Sequence, residues 1–249
     1  GDEGIGVLSG KLNLLGDLLA LDLEVGSPRL DMKVLGRIAL TPEMDAELTV
    51  RFGETSLDPY LRFFVPQLSP FTTAIVRGTM RVVGELANQD QLAVVASVEQ
   101  LDLKLFDYRL QNDGPIELTL DRSVLEIGRF RLAGEGTQLA LDGRLGLKDQ
   151  TIDVQATGDA NLGILQGVFR NLRSRGRAAL KAQMGGTFTS PVFGGSATLS
   201  DGRLRHFSLP HSLESINGRV SSDASGVRVD EVTGRLGGLC SSSSSFVSS

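Results

Sequence analysis

Proton transfer near neutral pH falls most readily to histidine, and the chain offers two, His206 and His211, five positions apart across Pro210. That spacing matches neither a helical face nor an alternating strand, so both are read as surface loop residues. A single cysteine, Cys240, allows no internal disulfide and no thiolate-based zinc set. A zinc site would need distant carboxylates gathered around the histidines. The sequence holds no Gly-x-Ser-x-Gly elbow and no P-loop. The run Gly4-Ile5-Gly6-Val7-Leu8-Ser9-Gly10 comes near a dinucleotide fingerprint, but it has one residue too many before its last glycine and no amphipathic helix follows. Carboxylates such as Asp102, Glu117 and Asp142 fall on polar strand phases or in turns, where solvation accounts for them. Arg170, Arg173, Arg175 and Arg177 form a cation cluster with the chemistry to touch anionic head groups. Placement at a helix C-terminus would account for them equally well. The expectation is a protein without catalysis, metal or cofactor.

The bulk composition narrows the classes further. Of 249 residues, 41% are hydrophobic and 22% charged, enough apolar content for a folded chain. A net charge of -5 gives no general attraction to nucleic acid. Trp is absent and Tyr occurs twice, which removes the aromatic girdles of an outer-membrane barrel. No run reaches the roughly 18 to 20 apolar residues that span a bilayer as a helix. The amino end, Gly1-Asp2-Glu3, carries no basic n-region or apolar h-region, so the chain is expected to be a piece of a longer polypeptide. Thirty glycines lie between short apolar stretches and are read as punctuation of many short elements.

Those elements are strands. Apolar residues alternate with charged or small polar ones along most of the chain, the mark of strands buried on one face. The count is roughly 15 to 18 by this pattern. Short Asn-Gly and Asp-Gly pairs, at Asp142-Gly143, Asp201-Gly202 and Asn217-Gly218, and the run Asn112-Asp113-Gly114-Pro115 read as turns. Loops that short cannot carry a parallel crossover, so neighbours are expected to be antiparallel.

Two segments switch to helical spacing. In 56–68, Leu57, Leu61, Phe64, Val65 and Leu68 share a face, with Ser56 as N-cap and Pro66 as terminator. In 159–172, Leu162, Leu165, Phe169 and Leu172 repeat the pattern, with arginines near its end. Sliding the chain on itself by about 104 residues superposes these two segments and the strands beside them, which points to a repeated unit. The organisation expected is a partial β repeat at 1–45, repeat units at 46–149 and 150–238, and a disordered or artefactual Ser-rich tail at 239–249. The fold class is mainly β: an elongated, mostly antiparallel, U-shaped (taco-like) sheet with two short amphipathic helices.

One strand phase gathers the candidate binding residues: Leu21, Leu23, Leu48, Val50, Val76, Met80, Val82, Leu92, Val94, Leu101, Leu103, Leu105, Leu118, Leu120, Leu139, Leu141, Leu145, Ile152, Val154, Leu180 and Leu199. If that phase is open, it lines a groove for the acyl chains of phospholipids. If it packs on a second sheet, it is the closed core of a structural or adhesive β repeat protein. Leu and Val dominate it and two helices are too few to cover so many strands, which favours the groove. An uncovered face of that size would far exceed the few hundred Å² typical of soluble monomers.

Four strings within 176–238 carry a family likeness: Gly186-Thr187 followed by Pro191, the strand ending Asp201-Gly202-Arg203-Leu204, the strand Ser215-Ile216-Asn217-Gly218-Arg219-Val220, and the closing Gly237-Gly238. In this order and spacing they resemble the repeating segments of the TamB and AsmA-like family, bridge-like proteins of the bacterial envelope. The resemblance implies a periplasm-spanning protein of a diderm bacterium, anchored in the inner membrane by other parts of its chain. It implies a long sheet with an apolar interior, serving phospholipid transport toward the outer membrane or outer-membrane protein assembly, with an outer-membrane barrel assembly protein as partner. Neither an amino-terminal anchor nor a carboxy-terminal domain of that family is seen in this sequence.

Overall fold

The computed structural model describes residues 6–27, 29–58, 69–169, 171–208, 210–223, 226–236, 239–242 and 246–247. Seventeen strands belong to one sheet. In chain order they are β1 (Val7–Leu15), β2 (Leu18–Ser27), β3 (Leu30–Ala39), β4 (Asp45–Ser56), β5 (Thr73–Glu85), β6 (Leu92–Leu105), β7 (Tyr108–Asn112), β8 (Ile116–Asp121), β9 (Val124–Gly134), β10 (Thr137–Gly146), β11 (Thr151–Asn161), β12 (Leu172–Gly186), β13 (Pro191–His206), β14 (Leu213–Asp223), β15 (Gly226–Leu236), β16 (Leu239–Ser242) and β17 (Phe246–Val247). Consecutive strands pair antiparallel in an up-and-down meander, except that β7 and β8 do not pair with each other and β16 and β17 both pair with β15.

One rung of the meander is made of two pieces. β7 and β8 lie end to end, both against β6 and both against β9. The break falls at 113–115, where Gly114 has φ +85° and Pro115 has no N–H to give. Asn112 repairs the ladder there. Its Nδ2 donates to the Glu99 carbonyl (3.0 Å), and its Oδ1 accepts from the Leu101 N–H (2.7 Å), beside the bulge of β6.

The helical expectations need correction. Ser56 closes β4, and residues 59–68 of the helix expected at 56–68 lie outside the described residues. In the helix expected at 159–172, residues 159–161 belong to β11 and Leu172 opens β12; only a 3-10 turn, Leu162–Ile164, and α1, Leu165–Val168, are helical. Two glycines among those seven residues, Gly163 and Gly167, weaken helix propensity. The long β12–β13 ladder takes up Arg173, Arg175 and Arg177, which spacing had assigned to a helix end. Within 239–249, expected to be a disordered or artefactual tail, the described residues form the two short strands β16 and β17, both against β15.

Glycines also differ in place from the punctuation expected, since many stand inside long strands. Gly143 on β10 and Gly158 on β11 have φ of +149° and +138°, and a Cβ there would stand 2.3 Å and 1.9 Å from a carbonyl oxygen of the neighbouring strand. Such positions bend a strand sharply where a side chain would block the turn.

Candidate functional site

Register decides which side chains share a face, and here it links all 21 expected groove residues. From β2, Leu23 stands opposite Val34 and Leu21 opposite Gly36. Val34 faces Val50, Gly36 faces Leu48, and these in turn face Met80 and Val82 of β5. Val82 opposes Val94, Gly84 opposes Leu92, Val76 opposes Leu101 and Ala74 opposes Leu103. Leu105 pairs with Tyr108, while Leu118 and Leu120 pair with Ala96 and Val94. Through Leu125, Phe130 and Leu132 of β9 the series reaches Leu145, Leu141 and Leu139, then Ile152 and Val154. Gly158 opposes Leu180, and Ala178 opposes Leu199. Antiparallel partners project to the same side, so these residues form one apolar face continuous across the sheet.

The same register adds members that sequence reading left out. Leu8, Leu12 and Leu14 on β1, and Met32, Val34 and Ile38 on β3, follow a visible period of two. Ile127, Phe130 and Leu132 on β9 do not, because a bulge between Leu118 and Glu117 pairing shifts the phase.

Exposure along the face is uneven. Val50, Val76, Val82, Leu101, Leu105 and Ile152 are buried, and the other fifteen expected residues are half-buried. All described strands lie in the one sheet, so among the described residues no second sheet covers this face. What covers it locally is the connection between β11 and β12. Leu162 is buried near Gly202 of β13, and the Leu162 carbonyl accepts from the Ser174 hydroxyl (2.7 Å) on β12. A few residues later Gly167 meets β6 so closely that a Cβ would stand 2.6 Å from the Leu105 Cβ. In a flat sheet β6 and β12, five rungs apart, would be separated by about 24 Å, yet a stretch of seven helical residues spans roughly 10 Å. The sheet is therefore curled at this end, with the apolar face inward. The connection between β4 and β5 joins the same plug: Ser69 N–H and the Thr72 hydroxyl both donate to the Gly167 carbonyl (3.0 and 2.8 Å). A cluster of Ala74, Val76, Leu101 and Ile116 packs nearby with Phe52, Phe130 and Leu132 against it.

The opposite face carries the charged phase and is solvated, with Ile75, Val83 and Val95 exposed among the polar side chains. Glu47 bridges Arg37 and Arg81 at 2.8 and 2.6 Å, and hydrogen bonds from Arg81 and then Arg37 hold its carboxyl below the usual value of 4.5. At the far end from the plug, Asp90 accepts from Lys148 and from the Ser123 hydroxyl (2.7 Å), tying three turns together. The Lys148 hydrogen bond, first, and that of Ser123 lower the Asp90 carboxyl, and Asp90 raises Lys148.

The arginines take places the sequence did not foresee. Arg170 lies outside the described residues. Arg173 and Arg175 sit on β12 directly opposite Arg205 and Arg203 of β13. With the β6–β7 turn they line an open cavity of about 420 Å³ at the plugged end. Arg177 is one step further along the ladder, opposite Ser200. Both histidines are exposed, and His206 Nδ1 bonds the Ser208 hydroxyl at 2.5 Å. Among the described residues no group of three or more His, Cys, Asp or Glu could hold a metal ion, and no helix is long and apolar enough to cross a membrane.

Compared with protein-family models, with curated proteins and with solved structures, the chain finds no match in any of the three.

Proposed function

We propose that this chain is a non-catalytic segment of a TamB/AsmA-like periplasmic protein of a diderm bacterium, whose sheet forms an elongated, U-shaped, taco-like trough for phospholipid acyl chains. The single observation that supports the reading is the one-sided apolar face, continuous from β1 to β13 on a single curled sheet and half-exposed over most of its length. Acyl chains laid along it remove apolar surface from water at about 25 cal/mol per Å², or roughly 0.8 kcal/mol for each methylene buried. Head groups stay at the rim, where the polar phase begins. Leu and Val suit this task because they offer a smooth lining without hydrogen-bonding groups to fix one lipid in place. In the proposed setting the full protein is anchored in the inner membrane through parts outside this sequence. It serves phospholipid transport, outer-membrane protein assembly or both, with an outer-membrane barrel assembly protein as partner.

Photo-crosslinking from Leu120 and Leu141, both half-buried on the face and away from the plug, tests the reading. Lipid adducts at both positions, with phospholipid in the mass spectrum of gently purified protein, are expected. Crosslinks to protein alone and no bound lipid would overturn it in favour of a structural or adhesive β repeat. That second reading draws on the cluster around Ile116, where the same face is packed as an ordinary core.

A further inference from the structure

The cavity at the plugged end has the composition of an anion seat. Two guanidinium pairs stand directly opposite one another on adjacent strands, Arg173 with Arg205 and Arg175 with Arg203. Like charges in that register destabilise a sheet, and this sheet places two such pairs in succession although the whole chain carries a net charge of -5. The local carboxylates do not cancel them. Glu214 pairs with Arg203 at 2.8 Å, and Asp107 lines the cavity; among the described residues no carboxylate pairs with Arg173, Arg175 or Arg205. Four cations against two carboxylates leave a local charge of +2.

The site is also held in shape. Arg173 lies over the Phe106 ring at 4.7 Å and over the Phe207 ring at 5.6 Å, and Phe71 braces Phe106 edge-on at 5.8 Å. Stacking fixes a guanidinium plane while leaving its N–H edge available. Beneath it, Gln166 is buried and spends its own groups internally, donating to the Ser174 carbonyl (3.0 Å) and accepting from Arg173 (3.4 Å). The floor is thus closed to water-seeking groups of its own, and the donors left over belong to the arginines.

From these observations we infer that the cavity binds a phosphate monoester. Guanidinium forks match the paired oxygens of phosphate, and a monoester carries a charge of about -1.5 to -2 at pH 7, which answers the local +2 where a carboxylate or a phosphodiester answers half of it. A volume of about 420 Å³ falls within the range of small-ligand sites. The ester is either soluble or the head of an amphiphile, and the site does not depend on what the apolar face holds.

Calorimetric titration of the delipidated chain with glycerol 3-phosphate and, separately, with a short-chain phosphatidate tests the site against the Arg175→Gln/Arg205→Gln double variant. Saturable binding of either ligand, weakened on the order of tenfold or more in the variant and weakened also by added salt, supports the inference. Binding of both identifies the phosphate as the recognised group, and binding of the phosphatidate alone identifies the amphiphile as its source. Without ligand, the variant's melting temperature is expected to match or exceed the parent's, because a repulsion has been removed, so loss of binding is not loss of fold. No saturable binding of either ligand, or equal binding by parent and variant, would overturn it. Lipid adducts at Leu141 beside a silent titration would sink this site while leaving the trough standing, and the reverse pattern would sink the trough alone.

Discussion

Strands β1 to β3 and the plugged end of the sheet follow the same alternation of apolar and polar residues, yet they end in opposite states. In β1 to β3 no described residue is buried, and Leu12 and Leu14 remain 61% exposed. At the plugged end Leu110 is 1% exposed and Ile116 2%. The difference lies in what reaches the face. Near Leu110 the β4–β5 and β11–β12 connections meet on the inner side, whereas at β1, among the described residues, there is neither a covering segment nor a second neighbouring strand. Alternation marks a face as apolar; coverage is a separate matter, decided by segments distant in the chain.

Truncation at the two places sharpens the contrast most. Ile116→Ala is expected to destabilise by about 2–5 kcal/mol, since it leaves a void in packed surroundings. Leu12→Ala should change stability by less than about 1 kcal/mol because little contact is lost. Equal midpoint shifts for the two variants in urea unfolding would erase the distinction. Next in size is the bend itself. Gly158→Ala places a methyl group against the Gln138 carbonyl in a backbone conformation alanine resists, and a loss of about 2–3 kcal/mol is expected, read as a fall in melting temperature.

A smaller effect comes from the plug's fastening. Thr72 is 1% exposed and its hydroxyl donates to the Gly167 carbonyl, so Thr72→Val keeps the shape but leaves that acceptor one partner short. A loss of about 1–2 kcal/mol is expected, with faster amide exchange in 162–168 and unchanged exchange in β2. Uniform exchange changes across the sheet would count against a local fastening. The least effect belongs to the polar face. Because Arg81 and Arg37 depress the Glu47 carboxyl in the folded state, the stabilisation from their contacts is full above pH 4.5 and is lost as the pH falls through the depressed value. Glu47→Gln should flatten that part of the acid stability profile and leave neutral pH nearly unchanged, since all three groups are well exposed.

Much of this architecture could be read from residues alone, and the reason is locality. Period-two alternation is set by the geometry of each strand, so the phase holding Leu21 and the one holding Leu199 were both visible, and register then joined them. Features that depend on partners were hidden. The phase change in β9 needs the bulge opposite Leu118, the inward curl needs glycines inside strands, and the helical spacing at 159–172 lost to the ladder that claims its ends. Of the cation cluster, Arg173 and Arg175 stood out in sequence, but Arg203 and Arg205 did not, because nothing in either stretch announces that β12 and β13 set them face to face.

The neighbour-by-neighbour meander also has a kinetic consequence. Hairpins that close over a few residues each carry a small loop entropy, so the ribbon can zip from many starting points and adding or losing a rung changes its stability by one unit. The hydrogen bond from Thr72 to Gly167 joins positions 95 apart and obeys a different rule. It can form only after the intervening rungs are in place, which makes it a late, slow clasp that turns a string of independent hairpins into one cooperative body.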